Sequence, residues 1–258
     1  MTRRAWVFKA KGEPEDEYEA QFREHGYSPE FIPVLDHHCA SLPELRLILE
    51  SGPSGQGITG VIVTSQRAVE TLAKASERVN KGLWHTVSAY VVGPTTAECL
   101  RQLDLFGDYV VADKATALCN QMERIQFDGQ LLFLAGDKRR EVIPNWLAGA
   151  KIPFKEIRTY ATCAHPRLSD RLTEAAPNVQ KSDWTVYFSP SGINYIQQAN
   201  PVLADQFFNT KVAAIGPTTA DHLVSLGIKV DVIASRPDGY HLVAAMAEYD
   251  QKINEISR

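Results

Sequence analysis

The 258-residue chain lacks most of the features that would tie it to a membrane, to nucleic acid or to an oxidising compartment. No apolar stretch approaches the roughly 18 residues of a membrane span, and the patch Ala5 to Phe8 is interrupted by Lys9 and Lys11. Neither secretion nor a membrane partner is expected. Four cysteines, Cys39, Cys99, Cys119 and Cys163, lie far apart with no C-x-x-C pair, which fits neither a disulfide framework nor a common zinc module. They read as reduced thiols of a cytoplasmic protein. The longest run of Lys and Arg is the three residues Lys138-Arg139-Arg140 and the formal net charge is -4, so the electrostatic footprint of a nucleic-acid binder is missing. Missing too are a P-loop lysine, a G-x-S-x-G elbow and a kinase signature, and the one G-x-G-x-x-G spacing, Gly55 to Gly60, leads into an expected strand rather than out of one. What is present, 44% hydrophobic and 22% charged residues, suits one large or two small globular domains.

Short β-branched or aromatic runs alternate with helix-length segments. Strands are expected at Ala5 to Lys9, Phe31 to Leu35, Gly60 to Thr64, Ala89 to Val92, Tyr109 to Val111, Leu131 to Leu134, Glu156 to Thr159, Thr185 to Phe188, Val212 to Ile215 and Val230 to Ile233. Between them, Gln66 to Leu72, Thr95 to Leu103 and Ala115 to Met122 carry apolar residues at helical spacing. Near-continuous apolar strands alternating with helices imply parallel sheets covered on both faces, the α/β class. The glycine-rich stretch Gly52 to Gly60 reads as a surface loop.

The chain also repeats itself. Val61 to Val69 is echoed by Thr185 to Ile193, and Gly93-Pro94-Thr95-Thr96-Ala97 recurs identically as Gly216-Pro217-Thr218-Thr219-Ala220. Two copies at so long a period describe two similar domains rather than a solenoid. In each GPTTA a strand ends, glycine makes the turn, and hydroxyl residues stand where a helix begins. Ser65-Gln66 and Ser189-Pro190-Ser191-Gly192 occupy the same kind of turn. Ser and Thr there would cap helices in any case. Four such turns, however, would line the carboxyl edges of two parallel sheets with amide and hydroxyl donors, which suits a large ligand bearing several anionic groups. Lys138, in Gly136-Asp137-Lys138-Arg139-Arg140, follows a strand and would meet anionic groups at that edge.

Other residues carry weaker signals. His37-His38-Cys39 lacks a second ligand group at usable spacing, so it reads as solvated linker and no metal site is expected. His165 and His222 have acid or base chemistry, but nothing in the sequence pairs either with a carboxylate. A tandem response-regulator reading would require acidic strand ends for Mg²⁺, whereas these ends carry Thr, Ser and Gly.

Taken in order, Ile62 to Val69, Leu132 to Arg140, Thr159-Tyr160-Ala161-Thr162 with Ala164-His165-Pro166, Phe188 to Gly192 and Ala213 to Ala220 resemble the uroporphyrinogen-III synthase family, nearest its eukaryotic, fungal branch. The resemblance runs from about Trp6 to Met246. It implies a carbon-oxygen hydro-lyase of porphyrin and haem biosynthesis that works without a metal or organic cofactor, as a monomer. The substrate would be hydroxymethylbilane and the product uroporphyrinogen III. It implies two flavodoxin-like (HemD-like) parallel-sheet domains joined by a two-stranded linker, with the active-site cleft between them. Carried onto this chain, residues 1-34 with 168-258 would form a discontinuous domain, 38-158 an inserted one, and 35-37 and 159-167 the linkers.

The resemblance makes Tyr160 the candidate for assisting departure of the substrate hydroxyl. Thr64, Ser65, Gly93, Thr95, Lys138, Ser189, Ser191, Gly192, Gly216, Thr218 and Thr219 become the expected substrate-binding set. Gln66 and Phe188 stand where many relatives carry Pro and Thr. The competing expectation is a non-catalytic two-domain protein that merely closes on an anion or a tetrapyrrole.

Overall fold

The computed structural model describes residues 3–256. In chain order the first elements are β1 (Arg3–Phe8), α1 (Glu17–Glu24), β2 (Tyr27–Phe31), β3 (Leu35–Cys39), α2 (Leu42–Ser51), β4 (Ile58–Val63), α3 (Gln66–Ser76), β5 (Ser88–Val92), α4 (Pro94–Arg101), β6 (Asp108–Ala112) and α5 (Ala115–Met122). They are followed by β7 (Gln130–Gly136), α6 (Val142–Gly149), β8 (Phe154–Ala164), α7 (Leu168–Ala175), β9 (Trp184–Tyr187), α8 (Pro190–Ala199), α9 (Pro201–Phe208), β10 (Lys211–Ala214), α10 (Pro217–Ser225), β11 (Val232–Ile233) and α11 (Gly239–Ile256). Contacts divide the chain into two units, Met1–Asp36 with Cys163–Arg258 (unit 1) and His37–Thr162 (unit 2).

Unit 1 contains a five-stranded sheet in the order β11-β10-β9-β1-β2, with parallel pairing throughout. Numbered along the chain, that is the doubly wound order of flavodoxin-like sheets, whose direction of winding reverses between β1 and β9. The second sheet runs β3-β8-β7-β4-β5-β6. Its parallel part, β8 to β6, has the same plan when the count starts at β7, and it reverses between β7 and β4. The internal repeat of the sequence is therefore a repeat of topology, with β4 corresponding to β9 and β5 to β10.

Alternation along the strands explains why both sheets are covered on two faces. In β1, Trp6 and Phe8 enter one apolar cluster while Ala5 and Val7 enter the other. In β7, Leu132 and Leu134 face one cluster while Leu131, Phe133 and Ala135 face its opposite. A strand apolar at every position suits only a sheet sandwiched between helix layers.

Two expectations need correction. Phe31 to Leu35 is not one strand: β2 ends at Phe31 and β3 begins at Leu35. Tyr27-Ser28-Pro29-Glu30-Phe31 escaped detection because it is a polar edge strand, where a proline without an N-H is tolerated. His37, His38 and Cys39, read as solvated linker, belong to β3, the edge strand beside β8. As the chain advances from Val34 to Ala40 its partner falls from His165 to Thr159, so these two segments run antiparallel. Among the described residues no helix is long and apolar enough to cross a membrane.

Helix α11 is fastened to unit 1 by one buried carboxylate. Asp250 is 4% exposed and accepts hydrogen bonds from Lys211 Nζ (2.6 Å), Tyr27 Oη (2.8 Å), Trp184 Nε1 (3.1 Å) and Arg3 Nη1 (3.1 Å). Burial alone would raise its pKa, but the donors from Lys211, Trp184 and Tyr27 outweigh it and hold the carboxyl below its ordinary value. A depressed folded-state pKa gives stability that is present above the unfolded value near 4 and is lost as pH falls through the folded one. Asp250→Asn should cost about 3 kcal/mol at neutral pH, because the buried carboxylate is the counter-charge of the partly buried Lys211 and the acceptor of the buried Trp184 and Tyr27 donors. It should also flatten the acid limb of the stability curve; thermal melts of both proteins between pH 7 and 3 check this.

Candidate functional site

In a parallel sheet every strand ends on the same edge, and in unit 2 that edge opens into a cavity of about 480 Å³. Its lining comes from strand ends: Thr64 and Ser65 after β4, Val92 closing β5, Asp113 to Thr116 after β6, Gly136 and Lys138 to Arg140 at and after β7, and Tyr160 on β8. The cavity therefore lies where the winding reverses between β4 and β7, the place at which open α/β sheets take their ligands.

Tyr160 reaches this cavity through a defect in the ladder. Ala135 pairs with Arg158 but Gly136 pairs with Tyr160, so one residue of β8, Thr159, is extra. A bulge of this kind re-aims the next side chain. It is held in place by Thr159, which is wholly buried: its Oγ1 donates to Ala135 O (2.9 Å) and its carbonyl accepts from Ala40 N and from Thr71 Oγ1. The Tyr160 ring then lies directly on Gly136, where an added Cβ would stand 2.5 Å from Oη and 2.7 Å from Cε2. Only glycine leaves room for that phenol. On another side the His37 ring lies 5.9 Å from the tyrosine, and His37 Nε2 accepts from Arg67 Nη1 at 2.5 Å.

The floor beside Tyr160 is electrostatically organised. Asp137 accepts from Thr162 N (3.0 Å) and Oγ1 (3.4 Å). Burial pushes its pKa up, but these bonds and the adjacent Lys138 charge push harder and keep it ionised below the usual carboxylate range. Arg139 is committed to Glu141 and Glu156, at 2.5 and 2.7 Å. Lys114 and Arg140 line the same cavity and, among the described residues, neither has a carboxylate within ion-pair distance.

The structure brings together four of the expected residues, Thr64, Ser65, Lys138 and Tyr160, in one cavity. Ser65 is also the N-cap of α3, with its Oγ accepting from Ala68 N at 3.2 Å. Gly93 and Thr95 stand at the start of α4 but do not line that cavity. Gly93 has φ +92° and its amide donates to Ala112 O at 2.8 Å.

In unit 1, Ser189 caps α8 through Gly192 N (3.1 Å), with Ser191 Oγ 3.3 Å from the Ser189 hydroxyl. Gly216 opens α10 with an extended backbone, φ 178°, so its turn does not require glycine although its five-residue motif is identical to that at Gly93. The two threonines of each motif part company: Thr95 and Thr218 are exposed, while Thr96 and Thr219 are buried. Among the described residues no cluster of three His, Cys, Asp or Glu side chains is arranged to hold a metal ion.

Sequence reasoning missed Asp113, Lys114, Thr116 and Gly136 as lining residues, and left Arg140 out of the binding set. Lys114 was within reach, since it falls between an expected strand and an expected helix. The signal for Gly136 is spatial and depends on the bulge in β8.

These features define a class: a protein of two doubly wound parallel-sheet units whose strand-end site suits an anionic organic ligand. Comparison with known proteins places the chain within that class. It belongs to the uroporphyrinogen-III synthase HemD family, whose model matches residues 16–244. It is 30% identical over 279 aligned positions to a uroporphyrinogen-III synthase of Saccharomyces cerevisiae, covering 96% of this chain and 97% of the yeast protein. It is 29% identical over 263 positions to a uroporphyrinogen-III synthase of Schizosaccharomyces pombe, covering 96% and 98%. The fold is similar to that of the crystal structure of uroporphyrinogen-III synthetase from Helicobacter pylori, with a TM-score of 0.55 and 17% identity over the full length of both chains.

The contact between Tyr160 and Gly136 is directly testable. Gly136→Ala should swing the phenol out of the cavity, at a stability cost of about 1 to 3 kcal/mol. A shift of the Tyr160 ring resonances in an NMR spectrum that is otherwise conserved is the expected result.

Proposed function

We propose that the chain is a cyclising hydro-lyase that converts hydroxymethylbilane to uroporphyrinogen III. The observation that carries this reading is the Tyr160 phenol laid across Gly136 at a cavity whose other walls supply cations and strand-end hydroxyls. Departure of the ring A hydroxyl needs a proton, and the azafulvene left behind is then attacked by ring D at its substituted carbon. The resulting spiro intermediate fragments and recloses with ring D inverted, releasing a proton, so the net loss is one water. The pyrroles provide the electronic push. The protein's share is to fold a flexible octacarboxylate into a cyclisation-ready shape, worth on the order of 7 to 11 kcal/mol, and to assist the leaving group.

In this reading Tyr160 donates a hydrogen bond or a proton to the leaving hydroxyl. Thr64, Ser65 and Lys138 hold acetate and propionate groups in unit 2, with Gly93 and Thr95 at the neighbouring turn. Ser189, Ser191, Gly192, Gly216, Thr218 and Thr219 do the same in unit 1. A cavity of about 480 Å³ is small for a tetrapyrrole with eight carboxylates, which supports further substrate contacts outside it. The chain would divide into a discontinuous domain of residues 1-34 and 168-258, an inserted domain of 38-158 and linkers at 35-37 and 159-167. Binding of the anionic groups leans on oriented amides at helix starts as well as on side chains, which reconciles an octa-anion with a chain of net charge -4. A cytoplasmic monomer that needs no cofactor completes the proposal.

Incubation with freshly made hydroxymethylbilane, followed by chromatography of the oxidised products, tests it. Type III isomer is expected, and type I alone would leave only a non-catalytic binding protein. Tyr160→Phe should lower turnover by about 10²-fold with an unchanged melting temperature; wild-type turnover would remove the phenol from the mechanism. Thr219→Ala should lose both stability, because the side chain is buried, and activity, because its turn lies at the binding edge. A variant indistinguishable from wild type in both would exclude that turn.

A further inference from the structure

The two units share one strand plan, yet they treat the cation at the winding reversal in opposite ways. In unit 1 that position follows β1, where Lys9 is turned inward. Its ammonium is 2.5 Å from Asp16 Oδ2 and lies 4.6, 5.6 and 5.9 Å from the ring centroids of Tyr18, Phe31 and Phe188. Asp16 is itself buried, and it ties down the following loop by accepting from Gly12 N and capping α1. Lys9 is neutralised within the unit and is held as a structural bolt.

The corresponding loop of unit 2 follows β7 and contains Lys138, Arg139 and Arg140. Arg139 is consumed by two glutamates, but Arg140 is exposed and faces the cavity without a carboxylate partner. Lys114 does the same from the strand end after β6. One carboxylate, Asp113, lines the cavity as well, so Lys114 and Arg140 together still leave a positive excess there.

We infer that Lys114 and Arg140 form a carboxylate-selecting wall in unit 2, by which the protein distinguishes a tetrapyrrole with eight carboxylates from one with fewer. The matching position of unit 1 does not read charge. Binding at a half-exposed cation is screened by salt, whereas binding to amides and by apolar contact is screened much less. The wall therefore contributes the salt-dependent part of affinity. This inference rests on the tetrapyrrole reading of the same site, and it assigns a specificity role that the reaction itself does not require.

The test is a fluorescence titration of the full chain with two stable porphyrins, uroporphyrin III with eight carboxylates and coproporphyrin III with four, at low and high salt. The wild type, Lys114→Gln, Arg140→Gln, the double variant and Lys9→Gln are compared, with melting temperatures measured alongside. Each cavity substitution should weaken uroporphyrin binding about fivefold at low salt. The double variant should lose most of the preference for eight carboxylates over four and most of the salt dependence. Lys9→Gln should lower the melting temperature and leave the salt dependence as in wild type.

Unchanged preference and salt dependence in the double variant would overturn the wall, and so would an equal loss in Lys9→Gln. If the wild type still makes type III isomer in those cases, the synthase reading stands alone. If the wild type makes only type I and binds neither porphyrin, both fall.

Discussion

The parallel ladder is the constraint from which the rest of this structure follows. A parallel strand cannot be joined to its neighbour by a tight hairpin, so each is followed by a crossover that lays a helix on one face of the sheet. With helices on both faces, residues such as Leu132 and Phe133 must be apolar although they point in opposite directions. With all strands aligned, every strand-to-helix turn emerges on one edge. Chemistry-bearing residues as distant in sequence as Ser65, Lys114, Lys138 and Tyr160 then meet in one cavity without any local motif having placed them there.

Within that frame the site is shaped by close approach rather than by reactive pairing. Tyr160 is aimed by the extra residue in β8 and accommodated by the bare α-carbon of Gly136. The bulge is itself fastened by the hydrogen bonds of the buried Thr159. Packing, ladder register and phenol position are thus one mechanical problem. A reaction in which the substrate carries its own electronic push makes few demands for a strong base, and it makes large demands for shape. The charges fit the same division. Asp250 and Asp16 are buried and matched by donors that hold elements together, while among the described residues Lys114 and Arg140 at the unit 2 cavity have no carboxylate within ion-pair distance.

The central strands were plain in the sequence because two buried faces leave a continuous apolar run, as in Leu131 to Leu134. Edge strands were not. Tyr27–Phe31, whose apolar face is only Tyr27 and Phe31 around a proline, and Leu35–Cys39, with two histidines, carry no continuous apolar run and so resemble linker. The repeated GPTTA located two helix starts and, with the neighbouring serines, two similar domains. It did not reveal that one copy requires a left-handed glycine and the other an extended one, because φ at a turn depends on where the next strand receives the chain.

The amino-acid sequence by itself determined the α/β class, the duplication and the four hydroxyl-bearing turns, since these depend on periodicity and local helix-start chemistry, and the family through the resemblance of its ordered motifs. Only the tertiary structure decided which turns share a cavity, that Thr96 and Thr219 are buried while their neighbours are exposed, and that Gly192's amide serves a serine cap. It alone showed that Lys9 is neutralised while, among the described residues, neither Lys114 nor Arg140 has a carboxylate within ion-pair distance. The physical reason is that burial and ion pairing are properties of neighbours brought from distant parts of the chain. Lys9 and Arg140 follow the equivalent strands β1 and β7, and what separates them is that Asp16 reaches Lys9 whereas Glu141 pairs with Arg139.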